Sequence, residues 1–201
     1  MRKTREQRIF EIWSAAKKIF IKKGYQNTTM EDIILETDLS KGGVYHYYSS
    51  KREIIIDMMK QGNLSYMKYN PYLQNLDSTT KLEDKIEILI DAVLDKSLSV
   101  SDDKKIYTMF ALEMIYDDEI WDIYCSLEMD FFEWLFKKLE LEISTKSEQM
   151  LFIGRFMNGI LFAQNMFNDP RVFNDNREYF KKFLRPLFLE MFSNFNKDID
   201  K

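Results

Sequence analysis

The stretch Thr28-Thr29-Met30-Glu31-Asp32-Ile33-Ile34-Leu35-Glu36-Thr37-Asp38-Leu39-Ser40-Lys41-Gly42-Gly43-Val44-Tyr45-His46-Tyr47-Tyr48 decides the fold of the first part of this chain. Thr28 and Glu31 have the spacing of a capping box, in which hydroxyl and carboxylate satisfy each other's orphan backbone donors. They predict a short helix through Thr37, with Met30, Ile33 and Ile34 facing inward. Asp38 and Leu39 read as a turn, after which Ser40 can cap a second short helix to about Tyr47. Ile34 and Val44 lie ten residues apart around that turn, so both can fill the angle between the two helices. Two short helices at a fixed angle with another packed across them form the unit that lays its second helix in the DNA major groove.

The rest of the chain is read outward from this unit. Upstream, Ile9, Ile12, Trp13, Ala16, Ile19 and Phe20 recur at helical spacing over 5–23, and Gly24 follows as a stop. Downstream, Ser50 and Glu53 predict a capped helix carrying Ile54, Ile55, Met58 and Met59, ending by Pro71. Capping-box spacings at Thr80/Glu83, Thr145/Glu148 and Asp175/Glu178 predict helix starts near 81, 146 and 176, with further helices over 104–116 and 118–141. No strand pattern appears, and only six glycines and three prolines serve the whole chain. The expected fold is all-α with about nine helices. A helix-turn-helix domain would occupy 1–55, with its motif at about 29–48, and a helical dimerisation and ligand-binding domain would occupy 56–201.

Charge separates the same two parts. Residues 1–55 carry eleven Lys/Arg against seven Asp/Glu, net +4, so an overall charge of −4 leaves −8 on the remainder. A basic head on an acidic body is expected where only the head meets phosphates. A single cysteine, Cys125, allows no internal disulfide, and a single histidine, His46, leaves nothing for a His/Cys metal site or a histidine-dependent triad. No run approaches the roughly 20 apolar residues of a membrane span, and the first residues lack a signal-peptide core. A cytoplasmic protein without a membrane partner is therefore expected.

The pattern F20-x2-K23-G24-Y25-x2-T28-T29-M30-x-D32-I33, followed by L39-S40-K41-G42-G43-V44-Y45-H46-Y47-Y48-x2-K51, resembles the signature of the TetR family of transcriptional regulators. The resemblance spans residues 9–55. It implies that Thr29, at the start of its helix, gives hydroxyl and backbone donors to a phosphate, as helix N-termini bind anions. It implies a phosphate for Lys51 at the next helix start. Ser40, Lys41 and Gly43 would approach base edges, Gly42 with Gly43 would allow close backbone approach to DNA, and Tyr45, His46 and Tyr47 would reach backbone or bases. Tyr48, where the family usually has phenylalanine, is expected inside. Two departures stand out. Asp38 replaces the usual turn glycine, where a left-handed backbone is common and which aspartate tolerates. Gly43 stands where the family often carries Thr or Ser.

In the body, residues 104–167 are dense in aromatics and methionine, most of which must be ordinary core. Tyr107, Phe110, Met114, Trp121, Tyr124, Trp134 and Phe156 are the candidate lining of an effector pocket, since such side chains adapt to apolar or aromatic ligands. Glu113, Asp117, Asp118, Glu119, Asp122, Glu128 and Asp130 read as a solvated face or, beside aromatics, as selectors of a cationic lipophile. Relatives sensing a metal-chelated drug use a body histidine, which this body lacks, so neither metal nor other cofactor is expected. The resemblance makes the last two helices the dimerisation elements. Gly159 and Ala163 offer a small patch, and Phe180, Phe183, Leu184, Leu187, Phe188, Met191 and Phe192 an apolar stripe that Pro186 should kink.

These readings describe a repressor that binds a palindromic operator in double-stranded DNA as a homodimer and is released by an apolar or aromatic small molecule. A regulator or architectural protein without an effector is the alternative. A di-iron helical enzyme would need Glu-x-x-His pairs, and the only histidine lies in the head.

Overall fold

The computed structural model describes residues 3–73, 81–141 and 148–199. Among these residues the chain is all helical, in the order α1 (Arg5–Lys23), α2 (Met30–Leu35), α3 (Lys41–Tyr45), α4 (Lys51–Tyr69), a 3-10 turn (Pro71–Leu73), α5 (Leu82–Leu98), α6 (Asp102–Glu113), α7 (Asp118–Leu139), α8 (Glu148–Phe167), α9 (Pro170–Asn174) and α10 (Arg177–Ile199). No described helix is long and apolar enough to cross a membrane. The chain packs as two compact units, one of residues 1–63 and 101–124 and the other of 64–100 and 125–201.

In the first unit α1 starts at Thr4, whose hydroxyl and the Gln7 side chain form a capping box, and stops at Gly24, which takes φ 78°. Only glycine enters that region without a Cβ clash, which is why the helix ends there. Ile12, Ala16 and Phe20 of α1 are fully buried, as are Ile33, Val44, Ile54 and Ile55 of the same unit, and α1 packs against α2. Asp102–Glu113, capped by Ser101, packs against α1 in the same unit.

The second unit is built on α5, α7, α8 and α10. Leu89, Ile90, Leu94, Phe131, Leu135, Phe136, Met157, Leu184 and Phe188 share one core there. Of the stripe expected to face a partner on α10, Leu184, Phe188, Met191 and Phe192 are buried in this core, with Phe180 and Leu187 packed on its edge. Helical period specifies an apolar face but not what covers it, and here the chain covers most of it itself.

The helices expected to start near 81, 146 and 176 begin, among the described residues, at Leu82, Glu148 and Arg177, and the difference lies in the caps. Leu82–Leu98 has Lys81 as its N-cap without a side-chain hydrogen bond, and Thr80 lies outside the described residues. Thr145 does too. Asp175 closes the extra short helix α9 instead of opening α10.

Candidate nucleic-acid interface

The capping box that opens α2 uses Thr29 and Asp32, one residue later than Thr28 and Glu31. Thr28 is buried and its hydroxyl donates to the Gly24 carbonyl at 2.8 Å, which removes it from the helix end. Thr29 gives its backbone N–H to Asp32 Oδ2 at 2.9 Å, and its hydroxyl donates to the same oxygen at 2.9 Å. Lys23 Nζ reaches Asp32 at 2.7 Å, and these donors, the lysine first, hold the carboxyl at about 2. Both donors expected to meet a phosphate at Thr29 thus face Asp32.

Ser40 caps α3 as expected, its hydroxyl accepting from Gly43 N–H at 3.2 Å. A Cβ on Gly43 would stand 3.3 Å from that hydroxyl and 3.4 Å from the Leu39 side chain, so the cap itself favours glycine. At Gly42 a Cβ would meet nothing within 4 Å. Val44 is fully buried and Ile34 half-buried. The turn between the helices needs no left-handed residue, because Asp38 is not among the described positive-φ positions. It is held by hydrogen bonds instead: Asp38 N–H donates to Glu11 Oε1 at 2.9 Å and Leu39 N–H to the Thr37 hydroxyl at 3.2 Å.

Beyond the cap, Lys41, Tyr45 and His46 are exposed, while Tyr47 is half-buried with its ring edge-on to His46 at 5.1 Å. Lys41 Nζ donates to Glu31 Oε1 at 3.0 Å and lies 5.8 Å from the Tyr45 ring centre. Tyr48 is buried as expected and its hydroxyl has a role there. It accepts from Trp13 Nε1 at 2.9 Å and donates to Asp57 Oδ2 at 2.5 Å, joining α1, the end of the reading unit and α4.

Lys51 is placed differently from the resemblance-based expectation. Its ammonium donates to the carbonyls of Tyr25, Gln26 and Thr28 at 2.7, 3.0 and 2.8 Å and lies 4.6 Å over the Tyr25 ring. An ammonium has three donors, so these contacts use all of them. Burial pushes its pKa down, and burial raises that of Tyr25 to about 12. At the start of α4, Ser50 caps Glu53 N–H, but the Glu53 carboxylate turns to Ser49.

Sequence reading missed the ties between this head and residues 101–124. Arg52 grips Asp117 and Glu119, Gln26 Nε2 donates to Glu113 at 2.6 and 2.8 Å, and Lys17 meets Asp103 at 2.6 Å. Three carboxylates read as a solvated face or as ligand selectors are thus spoken for. A surplus of basic residues at 1–55 facing an acidic body was the available signal, but charge counts do not pair residues.

The candidate effector residues divide between the units. In the first, Phe110 and Tyr124 are buried, Tyr107 lies 5.8 Å from Tyr124 ring to ring, Met114 is half-buried and Trp121 exposed. In the second, Trp134 packs on Phe131 at 6.2 Å, while Phe156 lies on an outer face between Phe152 and Phe183. Glu128, expected on the same solvated face, is buried. Its Oε1 accepts from Asn158 at 2.7 Å and its Oε2 lies 3.4 Å from Arg155.

The family model described as bacterial regulatory proteins of the tetR family matches residues 12–58. An uncharacterized HTH-type transcriptional regulator of Bacillus subtilis, YfiR, is 41% identical over 58 residues, which cover 29% of this chain and 28% of that protein. Among solved structures, GusR of Salmonella enterica shares the fold with a TM-score of 0.66 at 14% identity, covering 95% of this chain and 98% of that one. The fatty acid degradation regulator FadR of Bacillus halodurans does so at 0.63 and 14%, covering 92% and 96%. The last two establish the all-helical architecture over nearly the whole chain.

Proposed function

From the match of residues 12–58 to the model of bacterial regulatory proteins of the tetR family, we propose that the chain is a repressor that binds a palindromic operator as a homodimer and is released by a small molecule. The observation that carries the DNA-binding part is the family-matched head, in which the start of α3 presents Ser40, Lys41 and Gly42 beside exposed Tyr45 and His46. Helix N-termini attract phosphates, and a short helix braced by buried Val44 can enter the major groove. We assign reading to 1–55, dimerisation and sensing to 56–201, and the cytoplasm as the place of action.

The effector we propose is lipophilic or aromatic, on the strength of the aromatic groups around Tyr107 and Tyr124 and around Phe131 and Trp134. Release demands that the ligand bind the operator-bound and free forms with different affinity, and the effect is reciprocal. Typical couplings of about 1–3 kcal/mol shift either affinity roughly 5- to 150-fold.

Two measurements test the reading. Sequencing the duplexes that purified protein retains from a random pool should return a palindrome, and retention without any shared sequence would reject the repressor. Titrating a panel of apolar aromatic compounds by tryptophan fluorescence, with and without that duplex, should show weaker binding in its presence. Trp121→Phe and Trp134→Phe tell which unit responds. Equal affinity in both titrations would leave a regulator without an effector.

A further inference from the structure

The displaced capping box frees a carboxylate. With Asp32 serving as the capping carboxylate of α2, Glu31 accepts from Lys41 Nζ at 3.0 Å and so ties the first turn of α2 to the first residue of α3. Both side chains are about two-thirds exposed, at 61% and 66%. An exposed pair of this kind adds little to stability. What it does is restrict where the Lys41 ammonium points, with the Tyr45 ring on its other side.

A carboxylate among groups that would face DNA opposes phosphate binding, so its presence there needs a cation or a base-edge donor as partner. Here the cation is in place. We infer that Glu31 is a positioning residue for sequence specificity: its carboxylate holds the Lys41 ammonium off the phosphates and directs it to the acceptors of a base edge, guanine O6 and N7. Lys41 then contributes preference, while general affinity comes from the other basic residues of the head. The inference rests on the DNA-binding reading above.

The test uses the full chain as wild type, Glu31→Ala, Glu31→Gln, Lys41→Ala and the Glu31→Ala/Lys41→Ala double variant. Each is titrated over a range of salt concentrations against duplexes selected from a random pool by the wild type, and against scrambled versions. Glu31→Ala should bind scrambled duplex more tightly, with a salt slope steeper by about one, because the released ammonium takes a phosphate. Its preference for selected over scrambled duplex should fall, by roughly 5- to 150-fold if a full base contact is lost. Glu31→Gln, which keeps an acceptor without charge, should fall between Glu31→Ala and wild type. The double variant should show the preference of Lys41→Ala alone, since Glu31 acts through Lys41. Undiminished preference in Glu31→Ala overturns the inference, and so does an equal loss with or without Lys41, which would make Glu31 a direct acceptor from a base. Wild type that selects no duplex would sink the DNA-binding reading itself, an outcome distinct from either.

Discussion

Arg52 holds Asp117 in a two-pronged grip, Nε to Oδ2 at 2.8 Å and Nη2 to Oδ1 at 3.1 Å, and so joins the start of α4 to the start of α7 within one unit. Asp117 Oδ1 also accepts from Ile120 N–H at 3.1 Å, capping α7. The guanidinium, with that N–H, brings the Asp117 pKa down to about 2. Because the folded value lies below the ordinary unfolded value of about 3.9, the grip stabilises above pH 4 and is lost as pH falls towards 2. Asp117→Asn keeps the cap and removes the charge. It should have a lower urea midpoint than wild type at pH 7, and the gap should close between pH 4 and 2. A gap of constant size down to pH 2 would show that charge is not what joins these elements.

Lys51 should behave as a brace. Lys51→Met keeps the stem over Tyr25 but removes the ammonium from the carbonyls of Gln26 and Thr28 and from that of Tyr25, which keeps the Thr28 N–H at 3.2 Å. Hydrogen bonds from charged groups contribute about 1.5–3 kcal/mol each, partly offset by renewed hydration, so a loss on the order of 1–3 kcal/mol in unfolding free energy is expected. DNA binding should weaken with an unchanged salt slope. A slope flatter by about one would instead return Lys51 to the phosphate role that the family resemblance implies.

Gly42 separates fold from recognition. Nothing in the chain lies within 4 Å of a Cβ there, so Gly42→Ala should stabilise the head by roughly 0.5–1 kcal/mol through helix propensity. If the α3 backbone approaches base edges closely, the same methyl should lower affinity for selected duplex. Thermal melts and duplex titrations of one variant read both effects, and a more stable variant that binds as well as wild type would remove close backbone approach at 42.

The same residues show how far the sequence could be read. The limits of α1 were legible because Gly24 has one conformational reason to follow a helix, and α3 because Ser40 has no rival cap. Thr28-Thr29-Met30-Glu31-Asp32 contains two capping-box spacings one residue apart, and the Thr28 hydroxyl on the Gly24 carbonyl, four residues back, chose between them. That choice left Glu31 to Lys41, so a candidate site residue depended on a contact that the capping-box spacing alone does not encode. Aromatic density at 104–167 was equally visible, but helical period could not tell that Phe110 and Tyr124 are buried while Trp121 and Phe156 face outward.

Gly154 is required by the buried carboxylate opposite it. A Cβ there would lie 2.8 Å from Glu128 Oε1 and 3.3 Å from the Phe132 ring. Gly154→Ala should therefore destabilise by about 1–3 kcal/mol as overpacking does, although alanine is the better helix former. In a Glu128→Ala background the added methyl finds room, so the two losses should be less than additive by about 0.5–3 kcal/mol. Chemical denaturation of the four proteins of this cycle measures that term, and simple additivity would show that the clash is relieved elsewhere.

The homodimer we propose would rest on a different surface from the α10 stripe, most of which is buried within the chain. Among the exposed apolar side chains of these helices is an aromatic strip on α8 with its neighbour on α10. Phe152 and Phe156 stack at 6.2 Å, 54% and 37% exposed, and Phe183 lies 4.9 Å from Phe156. Gly159, one turn further along α8, would meet nothing within 4 Å if it carried a Cβ, so the chain's own packing does not require glycine there. A strip of large aromatics beside a flat glycine step suits close approach of a second copy, whose symmetry would set the same strip against itself. Replacing Phe152 and Phe156 together by glutamate puts like charges on both sides of that contact while leaving the core residues Ile153, Met157 and Ile160 in place. The double variant should keep its helical circular dichroism, scatter light as a chain of about 24.3 kDa where wild type gives about twice that, and lose tight binding to a two-half-site duplex. A folded double variant that still scatters as a dimer would move the interface off α8, and a wild type that scatters as a monomer while binding the palindrome would remove the dimer altogether.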